Sequence, residues 1–435
     1  MFKKCALLLC LLLCIGLFGT ACAMIPEEMV PPTEPPPTET EFVWPANTLR
    51  PDPVTFTHGQ RSKWGEDASM WPVFGSQILR KDITSVTFVD TLSGAPEGAW
   101  DISAGEDGTV LAWTEESNLF IAANGAVIGT ESCNTLFAGY INAETITFGG
   151  CFDTSAVIDF SDLFLGCKKL TQVDVQTLET SAAQNLSGLF YDCEMLREVD
   201  LSAMNTAQVT NMAAMFCRCK KLTALDLSSF DTASVQNMSM MFNGCLALAD
   251  VNLSSFVTDR ITDFSAMFAT CNTLTALDLS HFNTAAATNM SNMFYGCFDL
   301  KELNLSSFDT AGVKAMTAMF SNCYALSELD LQNFNTAAVT DMSRMFSNCS
   351  AIKKLDLSSF DTAQVKNMSS MFQECGELKE LDLSTFNTSA VEDVSMMFYE
   401  TAGITPKDVE HLDFSGVTNS KAFMSGSGWN YLFSK

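Results

Sequence analysis

Sixteen cysteines, three histidines and 51 acidic residues carry most of the reactive chemistry in this 435-residue chain. Nine of the cysteines form one column, Cys167, Cys193, Cys219, Cys245, Cys271, Cys297, Cys323, Cys349 and Cys375, each 26 residues after the last. Zinc cages and redox dithiols use closely spaced pairs. Here no CxxC pair occurs, and the column has an odd number of members. Buried free thiols packed as small hydrophobes fit this pattern better than bridges between successive units. Cys217 and Cys219 make one CxC, with Cys217 off the column and a candidate for exposure, although a local accident explains it as well. Cys133 and Cys151 are close enough in sequence to bridge. His58, His281 and His411 are far apart, so the sequence supports neither a histidine zinc site nor a histidine-based triad. No phosphate-binding glycine loop is present, and we assign no catalytic, metal or cofactor residues.

A second column is acidic: Asp174, Asp200, Asp226, Asp278, Asp330, Asp356 and Asp382, with Asn252 and Asn304 completing it. In Leu225-Asp226-Leu227 the acid alternates with leucine, so the leucines face inward and the carboxylate outward from a strand. Stacked strands lie about 4.8 Å apart, close enough for like charges to repel. A ligand or calcium surface is one reading. A calcium site, however, needs about six to eight oxygens from a dedicated loop, and no such loop is present. A solvated ladder, eased by Asn and by hydrogen bonds to neighbouring Ser, is the plainer reading, and the column remains the candidate binding face. Threonine also repeats, from Thr154 through Thr232 and Thr310 to Thr388. A residue present in every unit is turn chemistry and not one active site.

The element that must position these columns is a repeat of 26 residues, seen whole in Phe230 to Phe256. After the strand, Val235, Met238, Met241, Phe242, Cys245 and Leu248 recur at a spacing that fits one face of helical turns. Asn237 precedes the run, and Asn or Asp holds its column at 185, 211, 263, 289, 341, 367 and 393, failing only at Ala315. This predicts an N-cap and a short helix from about Met238 to Asn243. Gly166, Gly244 and Gly296, with Asn322 and Asn348 in the same column, predict a left-handed close. One unit buries too little to fold alone, so the units must stack and the ends need caps.

Read from Leu222 to Cys245, the pattern L-x-x-L-D-L-S-S-F-D-T-A-x-V-x-N-M-S-x-M-F-x-x-C resembles the BspA-like leucine-rich-repeat bacterial surface proteins, a family first catalogued as a domain of unknown function in mycoplasmas. The match covers Cys133 to Phe398, and Ile78 to Gly150 resembles the lead-in segment of such proteins. The resemblance implies a surface-exposed bacterial solenoid, some members of the family being adhesins.

The expected fold is an α/β repeat solenoid, a leucine-rich-repeat-like stack of strand plus short helix with a cap at each end. Residues 1–23 read as a signal peptide: Lys3 and Lys4 precede an apolar core from Cys5 to Phe18, too short to span a membrane. Gly19-Thr20-Ala21-Cys22 resembles a lipobox, departing from the usual leucine at Gly19, and makes Cys22 the expected lipidation site. Ordinary cleavage after Ala23 is the alternative. Residues 24–53 hold nine of the twelve prolines and read as an extended Pro/Glu/Thr-rich stalk. Residues 54–132 read as a mixed N-terminal cap, with strands at Ile83–Val89, Thr109–Trp113 and Leu119–Ala123 and with Trp64, Trp71, Trp100 and Trp113 burying area. Residues 133–398 are the repeat. Residues 399–435 read as a capping repeat, in which Leu412 to Ser415 and Asn419 to Met424 echo the unit.

A formal charge of -27, with 24 Lys plus Arg, argues against nucleic acid or a bare anionic membrane as partner, since both demand a basic patch. The expected function is a non-enzymatic, lipid-anchored cell-surface protein, or a secreted one, that mediates adhesion or protein interaction. Its partner would be an extracellular protein or glycan, and it would touch the membrane only through its anchor. The alternatives are a glycan-binding or carbohydrate-active protein and a passive spacer.

Overall fold

A computed structural model describes residues 44–50, 68–425 and 429–433. The signal segment, Cys22, most of the stalk, His58 and Trp64 lie outside the described residues.

Alternation of apolar and polar residues produces the strands. β1 (Ser85–Val89), β2 (Trp100–Asp101), β3 (Val110–Glu115) and β4 (Asn118–Ala123) form the start of a six-stranded sheet. β3 and β4 make an antiparallel hairpin, and β4 pairs parallel with β1. The sheet then passes into the stack: β1 pairs with β6 (Thr145–Thr147), which pairs with β8 (Gln172–Val173), both parallel. Between them in sequence, β5 (Val127–Ile128) pairs with β7 (Phe152–Asp153). All three strands expected in the N-terminal segment are present. Trp113 is buried, whereas Trp71 and Trp100 are only half-buried.

From Ser132 to Asn419 the chain advances in parallel coils. One unbroken series of bridges joins Ser132, Asp159, Asn185, Asn211 and Asn237, and continues every 26 residues to Asp393 and Asn419. The interior is apolar throughout and carries two aromatic columns. Phe164, Phe190, Phe216 and Phe242 begin the first, which runs through Phe268, Phe294, Phe320 and Phe346 to Phe372 and Phe398. Neighbouring rings in it are 5.3–5.9 Å apart and within 19° of parallel. The second includes Phe308, Phe334 and Phe360, with rings 6.4–6.5 Å apart.

The expected short helix is absent. Over Met238 to Asn243 the backbone is a run of turns, with Met240 at φ 58° and Gly244 at φ 79°. Two left-handed residues four positions apart cannot sit in a right-handed helix. The amides divide their labour instead. Met212, Ala214, Phe216 and Arg218 donate to the carbonyls of Asn237, Ser239, Met241 and Asn243 in the next coil, while Met215, Cys217 and Cys219 donate three residues back. Asn237 accepts the amide of Ser239 on its side-chain oxygen at 2.9 Å, making a turn rather than a helix cap. The left-handed column was read correctly: Gly166, Gly244, Gly296, Asn322 and Asn348 all have φ between 62° and 79°. Gly188, in the other left-handed column, is required for a further reason, since a side chain there would collide with the Asp162 carboxylate. Among the described residues the α-helix is confined to α1 (Pro406–Val409), so the repeat is strand plus turns.

On the strand face the ladder is interrupted. β9 (Ala224–Asp226) pairs with β10 (Asp250–Asn252), β11 (Ala276–Asp278) with β12 (Glu302–Asn304), and β13 (Lys354–Leu355) with β14 (Glu380–Leu381). Between these pairs no strand ladder is continued. Evenly stacked strands were expected, but the continuous ladder runs along the turns.

Both ends are closed. All four ladder amides of a turn point toward the later coil, so the first coil presents carbonyls at its outer side. Buried Arg80 meets one of them, its Nη1 donating to Ala138 O at 2.6 Å; it also donates at 3.0 Å to Thr135 O, which accepts the Ala138 amide within the turn, and the guanidinium lies over Trp71 and Tyr140. At the other end Phe398 packs edge-on against Phe423, and Phe414, Trp429 and Phe433 complete an apolar cover. The echo of the unit after residue 398 is structurally present, with Asn419 bridged to Asp393 and Met424 to Phe398.

Candidate functional site

The acidic column stands where the alternation placed it. In β9 Leu225 is buried while Ala224 and Asp226 are exposed, and β11 repeats this with Leu277 between Ala276 and Asp278. Each of Asp200, Asp226, Asp278, Asp330, Asp356 and Asp382 uses Oδ1 to accept the amide two residues on, at 2.9–3.1 Å. The Ser amides, followed by the Ser hydroxyls, hold Asp200, Asp226, Asp278 and Asp382 below the usual carboxylate range. At Asp356 the Ser358 hydroxyl contributes most. Asp174 differs, accepting the amides of Phe148 and Gly149 from the previous coil at 2.7 and 2.8 Å. Asn252 donates to Asp226 at 3.0 Å and relieves the like-charge stack there.

Shallow hollows open where the strand ladder lapses. One of about 480 Å³ lies beside Asp200, Asp226 and Ser228, and another of about 480 Å³ beside Asp250, Asp278 and His281. A third, of about 540 Å³, lies beside Asp330, Lys354 and Asp356. The face can therefore offer fixed carboxylates and Ser hydroxyls coil after coil.

The other columns are structural. The Thr side chains are buried, and each donates to a carbonyl 25 residues on, at 2.6–3.1 Å from Thr154 through Thr388. In several coils the same hydroxyl accepts the returning amide, as from Asn335 to Thr310. Every column cysteine is free and buried, and its Sγ donates to the carbonyl of a Phe in the preceding coil at 3.0–3.3 Å. Where the column reaches Thr401, the hydroxyl makes the same bond to Phe372 O. Burial pushes the thiols of Cys167, Cys297 and Cys375 up to about 12.

Two expectations about cysteines change, and the histidines gain a structural role. Cys217 is buried rather than exposed, and Cys133 and Cys151 are both free. His281 has a counterpart in its column: His281 bonds Leu253 O at 3.0 Å, and His411 bonds Leu383 O at 3.2 Å. Ser255 and Ser359 make the equivalent bond, so both histidines are braces. Arg80 was missed, although a lone arginine in an apolar lead-in was its available signal. The exposed rings of Phe298 and Tyr324 were missed because the position after each column cysteine was not read as a column of its own.

Among the described residues no group of three His, Cys, Asp or Glu side chains gathers to hold a metal ion. No helix there is long and apolar enough to cross a membrane.

These features define a tandem-repeat protein of stacked 26-residue coils. The chain belongs to the family described as Mycoplasma protein of unknown function, DUF285, whose model matches residues 131–251, 218–329 and 326–430. No curated protein matches it. Among solved structures it is similar to a chain of the Toll–Spatzle complex of Drosophila, with 13% identity and a TM-score of 0.22, over 74% of this chain and 52% of that one. It is also similar to a chain of the TLR13–ssRNA13 complex, with 13% identity and a TM-score of 0.14, over 68% of this chain and 66% of that one. The chain thus spans about half the length of the Toll-complex chain it matches.

Proposed function

We propose that this protein is a non-enzymatic bacterial cell-surface repeat protein, a leucine-rich-repeat-like solenoid whose strand face binds an extracellular protein in adhesion. The observation that carries this reading is the exposed column of hydrogen-bonded Asp side chains, repeated from coil to coil beside the hollows. A partner touching several coils sums weak contacts into useful affinity. Cys22, at the end of an apolar N-terminal segment, is the proposed lipid anchor. Mass analysis of the mature N-terminus tests it, and an unmodified start at Ala23 or Met24 would rule the anchor out.

The binding test replaces the Asp column with Asn in blocks of two coils. Asn keeps the turn, as Asn252 and Asn304 do naturally by accepting the amides of Ser254 and Ser306, and removes the charge. Adhesion of beads carrying the mature chain to cultured epithelial cells should fall in graded steps as blocks accumulate. Complete loss from one block with the others silent would indicate a local site. No loss in any block would leave a passive spacer.

A further inference from the structure

The turn side of the stack carries a charge pattern unrelated to the acidic face. The residue before each column cysteine and the two after it form one edge, linked from coil to coil by contacts such as Lys220 to Glu194 at 2.8 Å and Phe298 to Tyr324 at 5.1 Å between ring centroids. In the coils of Cys167, Cys193 and Cys219 these positions hold Lys168, Lys169, Arg218, Lys220 and Lys221 against Asp192 and Glu194, five cations to two acids. In the coils from Cys245 to Cys349 their only charge is Asp299, and Leu246, Phe298 and Tyr324 stand there 38%, 38% and 43% exposed. In the coil of Cys375 and the one after it the charges are Glu374, Glu377 and Glu400, with Lys379 at 3.8 Å from Glu377. The edge therefore runs from basic through apolar to acidic, in a chain that is acidic as a whole.

A charge order that reverses about an apolar centre is complementary to itself. A second copy laid antiparallel meets acid with base at both ends, whereas a parallel copy meets like with like. The spacing decides where the axis falls. Lys220 and Gly376 hold equivalent positions six coils apart, and the position midway, three coils from each, is Phe298. A twofold axis there sets the coil of Arg218, Lys220 and Lys221 against the coil of Glu374 and Glu377 of the other copy, twice over, and brings the two Phe298 rings together. Phe298 and Tyr324 pack on each other yet each keeps more than a third of its surface in solvent, and a second copy supplies the missing cover.

We propose that this turn edge is the interface of an antiparallel homodimer, with its twofold axis at Phe298 and with Arg218, Lys220 and Lys221 of each copy facing Glu374 and Glu377 of the other. Six coils at about 4.8 Å each make a strip about 29 Å long between the charged coils. It is one turn wide, at the small end of specific interfaces, so the dimer is a reversible one of micromolar affinity. The contact lies on the turn side, and it stands or falls separately from the strand-face reading.

The test is sedimentation equilibrium of the full mature chain at physiological salt, which screens the repulsion between two chains of charge -27. Dimer should accumulate as the concentration rises through the micromolar range. Lys221→Glu and Glu377→Lys each turn an attraction into a repulsion, and the axis applies the change twice, so either variant alone should dimerise about tenfold more weakly. Lys221 is exposed and outside the ion pairs named above, so its reversal leaves the fold undisturbed. Mixed in equal amounts, the two variants should recover wild-type affinity, because each reversed residue then faces the other. That recovery also shows that neither variant is misfolded. Phe298→Ala, which removes both rings at the axis, should weaken the dimer by a similar factor. The proposal is overturned if the wild type stays monomeric at every concentration, if any of the three variants dimerises as well as the wild type, or if the mixture does not recover.

Discussion

Thr310 is a clean place to ask what ties one coil to the next. Its side chain is fully buried, its hydroxyl donates to Asn335 O at 2.8 Å, and it accepts the Asn335 amide at 2.8 Å. Thr310→Val keeps the volume and removes both bonds. Each neutral bond is worth about 1 kcal/mol net, and a donor and an acceptor left without partners add desolvation costs of similar size, so the loss should be about 2–4 kcal/mol. Thr310→Ser keeps the hydroxyl and gives up one methyl, for about 1 kcal/mol. Because a repeat array need not unfold in one step, the sharper readout is amide exchange at Asn335. A 2 kcal/mol loss there predicts exchange faster by about thirtyfold, with Asn387, held in the same way by Thr362, as the internal reference. Equal stability of Thr310→Val and wild type, or equal damage from Val and Ser, would refute the bracket.

Three further outcomes are expected. The column cysteines should resist alkylation at pH 8 until the chain is denatured, because burial has raised their pKa values; half-buried Cys151 should react first. In the same column Cys323→Thr should cost less than about 1 kcal/mol and Cys323→Ala about 2 kcal/mol, since Thr401 shows that a hydroxyl can replace the thiol. Matched melting curves for the two variants would count against the S–H to carbonyl bond. In the acidic column Asp200, Asp226, Asp278, Asp356 and Asp382 titrate below the ordinary aspartate range of about 3.9 because of the bonds to the following Ser. The stabilisation is therefore present above about pH 4 and is lost as pH falls through the folded values. Asp→Asn across these five positions should flatten the stability profile below about pH 4, and an unchanged profile would show that the Ser bonds do not favour the charged form.

The strand half of the unit was legible because alternation has one physical meaning: Leu225 and Leu227 inward, Asp226 outward. The Cys and Thr columns were legible as structural because they recur in every coil. The turn half misled because apolar residues three and four apart, such as Met238, Met241 and Cys245, also fit tight turns stacked on their copies. The decisive signal was a second left-handed column four residues before the Gly/Asn one, passing through Gly188 and Asn292. Ala214, Met240 and Arg344 in that column carry no left-handed preference to reveal it. No local pattern could show that the strand ladder lapses between β10 and β11, because that depends on how successive coils sit against one another. The exposed Asp column was visible in the sequence, whereas the contact between the Phe298 and Tyr324 rings joins two residues from adjacent coils and exists only once they are stacked.

The direction of the turn ladder has a mechanical consequence. Its hydrogen bonds run along the direction in which coils are added, so tension applied to the two ends of the stack acts along those bonds. The coils at an end would then peel away one interface at a time, instead of sharing the load across the whole array in shear. Each released coil frees 26 residues, about 90 Å of extended chain, in near-equal increments because the interfaces are near-copies of one another. A protein built this way yields to a pull gradually, dissipating work coil by coil while the coils not yet reached keep their surface intact.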